Sequence, residues 1–308
     1  MEKTEHLIKL QFDHMNNDIH NQEREKIHQS WFDFETVDYW RHDRFYSTIE
    51  PLANYYKAAK WLTLGDGRYG LDSIKLKNKY GINALPSDLS ENMLIEAQRR
   101  GLIDEFEVEN IESLSFENNS FDVLFCKEAF HHLPRPMIGL YEMIRVAKEL
   151  VILIEPFDCP KQLSLTNKEY LKNGMKILLN KVLKKKFQIK HVSDDYYYEI
   201  HDAFETSGNY TYGINVTEIN KIVHALDLAG FAFLPFNDTY KVGVEFEKAT
   251  EENEMFKYIK GHINLLDKLG VHNTCTIVLF KNQIAESLRN SMKKMGYIFP
   301  SRHINPCI

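Results

Sequence analysis

A chain of 308 residues, 44% apolar and 27% charged, is long enough for a full α/β core with additions and has the composition of an ordinary globular protein. Its formal net charge of -6 speaks against a surface built for nucleic-acid phosphates, which demands a basic field. No stretch approaches the roughly 18 consecutive apolar residues of a membrane-spanning helix.

Residues 1–60 are polar and carry scattered aromatics with little alternation, which predicts helices and connecting loops. Within them VDYWRHDRFYSTIEPL concentrates aromatic and cationic side chains. It reads either as a lid in which Arg41 or Arg44 pairs a carboxylate or phosphate, or as an amphipathic helix docking Trp40 and Phe45 with its arginines in water. Next comes a short apolar strand and a glycine-rich bend, WLTLGDGRYG, over residues 61–70. Glycines 65 and 67 allow a tight turn and close approach of backbone to a ligand, and the following helix offers its unpaired N–H groups.

LDSIKLKNKYG predicts a short helix stopped by Gly81, and INALPSDLS an extended run ending at Asp88. Ser90 is placed to cap the helix SENMLIEAQRRG, which Gly101 stops. EFEVEN predicts a third strand, FDVLFC a strand buried on both faces, MIGLYEMIRVAKE a helix and LVILIEP another buried strand. This alternation predicts βαβ units and a doubly wound sheet.

From residue 157 to 213 the pattern breaks into a basic amphipathic segment and an acidic, tyrosine-rich one, as in an inserted cap. Lysines 184–186 there face either an anionic acceptor or solvent. Regular order returns with the helix INVTEINKIVHALDLAGF and its glycine stop, a strand near 231–236, the helix EENEMFKYIKGHINLLDKLG and the strand CTIVLFK. The chain thus divides into an N-terminal helical lid (1–60), the first part of a core (61–157), an inserted cap (158–213), the end of the core (214–281) and a C-terminal tail (282–308).

Residues 1–10 carry charges on both sides of a weak apolar patch, so they do not read as a secretory signal. Cys126, Cys159, Cys275 and Cys307 form no CxxC pair, which argues against structural zinc and a disulfide framework and for a reducing cytoplasm.

GDGRYG satisfies GxGxxG, with Asp88 at the distance of a ribose-binding acid, and that pattern alone permits a dinucleotide site. Four further stretches, SDLSENMLIEAQRRG, VENIESLSF, NNSFDVLFC and KEAFHHLPRP, follow in order over residues 61–157. Together the pieces resemble class I S-adenosylmethionine-dependent methyltransferases. The resemblance implies a mostly parallel, seven-stranded Rossmann-like sheet and S-adenosyl-L-methionine as cofactor. It implies that Gly65, Asp66 and Gly67 lie against the methionine moiety and that Asp88 accepts from the ribose hydroxyls. Leu89 would pack on the adenine, Glu109 and Asn110 would meet its amino edge, and Lys127 would line the cofactor floor. Two positions depart from the family pattern: Thr63 replaces an acid and Tyr69 replaces the third glycine. Contacts to the cofactor amino group are therefore expected from elsewhere, such as the N-terminal segment.

Methyl transfer needs a general base only when the acceptor holds its proton tightly, as a hydroxyl does. His131 and, after it, His132 are the candidates for base or acceptor-orienting group, in the loop where the family faces its acceptor. Packing or capping is the alternative duty of either ring. Tyr196, Tyr197, Tyr198 and His201 are secondary candidates for acceptor contacts. CKEAF is not the NPPY-type tetrad associated with methylation of amide or nucleobase nitrogens. The expected substrate is a small polar metabolite such as a carbohydrate, methylated on oxygen, with no nucleic-acid or membrane partner. No ligand spacing announces a metal. An NAD(P)-dependent oxidoreductase and a catalytically inactive methyltransferase-fold partner protein are the alternatives.

Overall fold

The computed structural model describes residues 30–158, 212–241 and 243–302, together with 5–10, 12, 13, 27, 204, 209 and 210. Seven strands form one sheet: β1 (Trp61–Leu64), β2 (Ala84–Asp88), β3 (Glu107–Val108), β4 (Phe121–Lys127), β5 (Ala147–Pro156), β6 (Gly230–Phe236) and β7 (Thr274–Phe280). Their order is β3-β2-β1-β4-β5-β7-β6, with β7 antiparallel to both neighbours and the remaining pairs parallel. This is the expected doubly wound, mostly parallel sheet. Strand order reverses between β1 and β4, which opens a crevice at their carboxyl ends.

The central strands β1, β4, β5 and β7 are largely apolar because both faces are covered. Successive side chains point to opposite faces. Leu62, Leu64, Leu124 and Cys126 therefore join one core, with Leu140 and Met143 of α5 (Pro136–Val146) and Ile219 and Val223 of α6 (Val216–Ala225). Trp61, Val123 and Phe125 join the other, against α1 (Val37–Thr48), α2 (Glu50–Tyr55), α3 (Leu71–Tyr80) and α8 (Glu286–Met295). α4 (Asn92–Arg99) packs Met93, Leu94 and Ala97 with Tyr69 and Ile103. α7 (Glu254–Leu269) packs Phe256, Ile259 and Ile263 with Val37 and Val244.

Local chemistry sets the ends of these elements. Thr36 caps α1 by accepting from the Tyr39 amide at 3.2 Å, and Asn253 caps α7 by accepting from Phe256 at 2.9 Å. Gly70 and Gly81, both left-handed at φ 69°, bracket α3. Four boundaries differ from the sequence reading. β3 is only two residues long. α5 stops at Val146, because Ala147 already pairs with Phe121 across the sheet and so belongs to β5. The cap of α4 is Glu91, without a side-chain bond, and not Ser90. Asp227 at φ 50° takes the left-handed position after α6, whereas Gly230 opens β6. Residues 159–203, which hold Lys184–Lys186, Tyr196, Tyr197, Tyr198 and His201, lie outside the described residues.

α1 lies across the carboxyl end of the sheet. Phe45 enters the core as expected, together with Tyr46, but Trp40 meets Phe256 edge-on at 4.9 Å on α7. Its arginines do not stay in water. Arg41 is 5% exposed and forks onto Asp238, through Nε to Oδ1 at 3.1 Å and through a second, shorter bond to Oδ2. Arg44 donates to the Asn237 carbonyl at 3.0 Å and lies over the Trp40 ring.

Candidate active site

Sheet register brings the candidate residues to one level. Leu64 pairs with Ser87 on one side and with Cys126 on the other, so Gly65, Asp88 and Lys127 are the next residues along three adjacent strands. Lys127 pairs with Ile154, which places Glu155 beside Glu128 at the same edge.

The bend itself has no room for side chains at its two first glycines. A Cβ on Gly65, at φ 74°, would stand 2.2 Å from the Ala129 Cβ, and one on Gly67 would stand 2.7 Å from the Asp88 carboxyl. Asp88 accepts from the Gly67 amide at 2.9 Å and from the Ser90 amide at 2.8 Å, so it ties the bend to the turn after β2. Burial pushes its carboxyl up to about 6, against the pull of these backbone donors. Leu89 follows, half-buried.

Asp66 has a different place from the one the bend suggests. Its carboxylate turns inward and accepts from Asp72 N at 2.8 Å, Ser73 N at 3.0 Å and the Thr63 hydroxyl at 2.8 Å. The two amides are orphan donors at the start of α3, so the side chain serves the helix. Thr63, at the position where the family pattern has an acid, donates its hydroxyl to the same carboxylate. Burial, then the neighbouring Asp72 charge, raises the Asp66 carboxyl to about 8.

Tyr69 adopts φ 57°, a glycine-like conformation, and sends its ring into the α4 cluster with Phe32 edge-on at 6.3 Å. Trp31 lies under the Arg68 guanidinium at 5.1 Å, so the N-terminal segment covers the outside of the bend.

Lys127 is 4% exposed, with Nζ 2.7 Å from Glu128 and 3.9 Å from Asp72. Burial pulls its pKa down, but Glu128 and Asp72 outweigh this and hold the ammonium above its ordinary value. Glu128 sits at φ 51° and meets His42 at 3.3 Å and Arg68 at 4.0 Å. Burial opposes its charge, yet Lys127 and His42 hold the carboxyl well below the usual range. His42 also reaches Asp38 at 3.4 Å, so its ring bridges α1 to Glu128 at the end of β4.

Glu109 and Asn110 are turned into their own loop. Glu109 accepts from the Ser115 amide at 2.9 Å and from its hydroxyl, and Asn110 Oδ1 accepts from Glu112 N at 2.9 Å. A loop without a sheet partner must satisfy its N–H groups in this way. Their side-chain oxygens are therefore engaged by the loop's own donors.

His131 and His132 lie on a short 3-10 turn after β4, their ring centroids 3.9 Å apart. Nδ1 of His131 is 2.7 Å from Glu155 Oε2. The His132 carbonyl accepts from Asn209 Nδ2 at 2.7 Å. Sequence reasoning missed Glu155, Glu128 and His42. Glu155 left one trace, as the sole charge in the apolar run LVILIEP.

The sequence model of the family described as "Methyltransferase domain" matches residues 62–154, the stretch from β1 through β5 that builds this crevice. Residues 62–154 form a methyltransferase domain. No curated protein sequence matches it. Among solved structures, the chain is similar to the plantazolicin methyltransferase BpumL in complex with SAH, at 14% identity, TM-score 0.45, over 92% of this chain and 98% of that one. It is similar to a SAM-dependent methyltransferase from Archaeoglobus fulgidus at 14% identity and TM-score 0.45, over 76% and 92%. It is also similar to the YcgJ protein from Bacillus subtilis at 16% identity and TM-score 0.43, over 76% and 99%.

The residues of the methyltransferase domain fit its cofactor. The bare Cα of Gly67 abuts the Asp88 carboxyl, which leaves a cradle a side chain would fill, and Asp88 retains lone pairs for a pair of hydroxyls. Among the described residues, no group of His, Cys, Asp and Glu could hold a metal ion, and no helix is long and apolar enough to cross a membrane.

Proposed function

We propose that this methyltransferase domain methylates a hydroxyl of a small polar acceptor, such as a carbohydrate, with His131 taking the acceptor's proton. The observation that carries the reading is the position of His131. Its ring stands on the loop leaving β4, beside the crevice that Gly65, Gly67 and Asp88 form, with its Nδ1 against a buried carboxylate. Asp88 holds the ribose, Gly65 and Gly67 admit the methionine moiety against bare backbone, and Lys127 with Glu128 forms the floor.

S-adenosylmethionine supplies an electrophilic methyl group on a sulfonium. The chain's own residues must hold the acceptor in line, exclude water and accept one proton. A histidine does the last near neutral pH. The net charge of -6 supports a small acceptor over a nucleic acid. Cys126 and Cys275 are buried free thiols, which supports a reducing cytoplasm.

The test is incubation with isotope-labelled S-adenosylmethionine and a panel of sugars, amines and hydroxylated metabolites, with products separated by mass spectrometry. Label in methyl ethers that is lost in His131→Ala is the expected result. Label confined to amines would overturn the oxygen-acceptor reading.

A further inference from the structure

Glu155 is 0% exposed at the carboxyl end of β5, in a strand otherwise apolar from Leu150 onward. Its two oxygens have different partners. Oε1 accepts from Ala129 N at 3.1 Å and Phe130 N at 3.0 Å, and Oε2 lies 2.7 Å from His131 Nδ1. Two backbone donors on Oε1 fix the rotation of the carboxylate, so Oε2 must face the ring. An ionised carboxylate only accepts, which requires the hydrogen on Nδ1 and, in the neutral ring, leaves Nε2 without one.

The same carboxylate reaches the glycine bend. Ala129, whose amide it holds, is the residue that leaves no space for a Cβ at Gly65. One buried acid thus sets both the imidazole and the backbone on which the bend rests. A carboxylate placed only to satisfy two loop amides would not need its second oxygen on a histidine.

We propose that Glu155 is the positioning residue of the transfer centre, locking His131 as the Nδ1–H tautomer and so assigning the acceptor's proton to Nε2. Its role in turnover rests on the methyl-transfer reading above, whereas the tautomer rests on geometry alone. The proton passes from the acceptor oxygen to Nε2, and the oxygen's electron pair forms the new bond to carbon. The bond to sulfur breaks with its pair left on sulfur. Nδ1–H stays directed at Glu155, which stabilises the imidazolium and takes no proton.

The experiment is a long-range proton–nitrogen spectrum of the full chain labelled with nitrogen-15 histidine, at about pH 8 so that neutral rings dominate. His131 is assigned by its disappearance in His131→Gln. The wild type is expected to show a protonated Nδ1 and a bare Nε2. In Glu155→Gln the two backbone amides require the amide oxygen, so the NH2 group faces Nδ1 and the ring is expected to switch to Nε2–H. Nε2–H in the wild type overturns the proposal, as does Nδ1–H in a Glu155→Gln variant that still binds S-adenosylhomocysteine. Should that variant fail to fold, the wild-type spectrum decides alone. Calorimetry with S-adenosylhomocysteine on the wild-type sample separates the two readings. Absence of binding removes the methyl-transfer reading and Glu155's role with it, while binding with the wrong tautomer removes Glu155 only.

Discussion

Asp88 is held by the amides of Gly67 and Ser90, and both contacts are short enough to fix its carboxyl before a ligand arrives. Removing it as Asp88→Ala should weaken S-adenosylhomocysteine binding by about 1–3 kcal/mol, the loss expected for charge-assisted hydrogen bonds, as measured by calorimetry. The pH dependence has a definite sign. Burial raises this carboxyl from 3.8 to about 6, so in the free protein it is neutral below that value and an acceptor above it. Cofactor affinity should therefore rise as pH increases through about 6 and level off beyond. Asp88→Asn should show no such rise, and an equally steep one would move the titration to another group. Asp66 shows what residue-level reading could not reach. An acid between two glycines looks like a ligand, and only the turn of the chain into α3 aims it at Asp72 N and Ser73 N. Asp66→Ala should accordingly lower the stability of the fold, by about 1–3 kcal/mol in a denaturant titration, because three donors lose their acceptor.

At the scale of elements, the bend and the loop after β4 touch through Gly65 and Ala129. Gly65→Ala adds a Cβ 2.2 Å from that of Ala129 at φ 74°, so one of the two segments must move. The variant should lose cofactor affinity at least tenfold, about 1.4 kcal/mol, with calorimetry as the measure. α1 is anchored by Arg41 on Asp238, a buried pair 197 residues apart in sequence. Arg41→Ala leaves the buried Asp238 with only the more distant Arg44, at 3.9 Å, and should cost about 3 kcal/mol, with faster hydrogen exchange in α1 than in β4. The strands were legible because predominantly apolar runs such as FDVLFC and CTIVLFK have no stable place except between two helical layers. Helix stops at Gly81 and Gly101 were legible because left-handed backbone favours glycine. Contacts that depend on register were not. Glu155 reaches His131 only because Lys127 pairs with Ile154, and no local pattern encodes that pairing. The arginines of α1 misled for the same reason, since their partners come from beyond β6.

For the whole molecule, the sheet order places the bend, Asp88, Lys127 and Glu155 along one edge at the point where strand order reverses. α1 closes over that edge through Arg41, His42 and Tyr46, which bond or pair with Asp238, Glu128 and Asp72. Asp88 thus comes from one half of the sheet, and His131 with Glu155 from the other. On the proposed reading this edge binds a sulfonium adenosine through Asp88. The decisive measurement is calorimetric titration of the full chain and of Asp88→Ala with S-adenosylhomocysteine, and with NAD as the comparison ligand. Saturable S-adenosylhomocysteine binding that Asp88→Ala weakens at least fivefold, about 1 kcal/mol, with no NAD binding, is the expected result. NAD binding without S-adenosylhomocysteine binding, or equal affinity in both proteins, would contradict it.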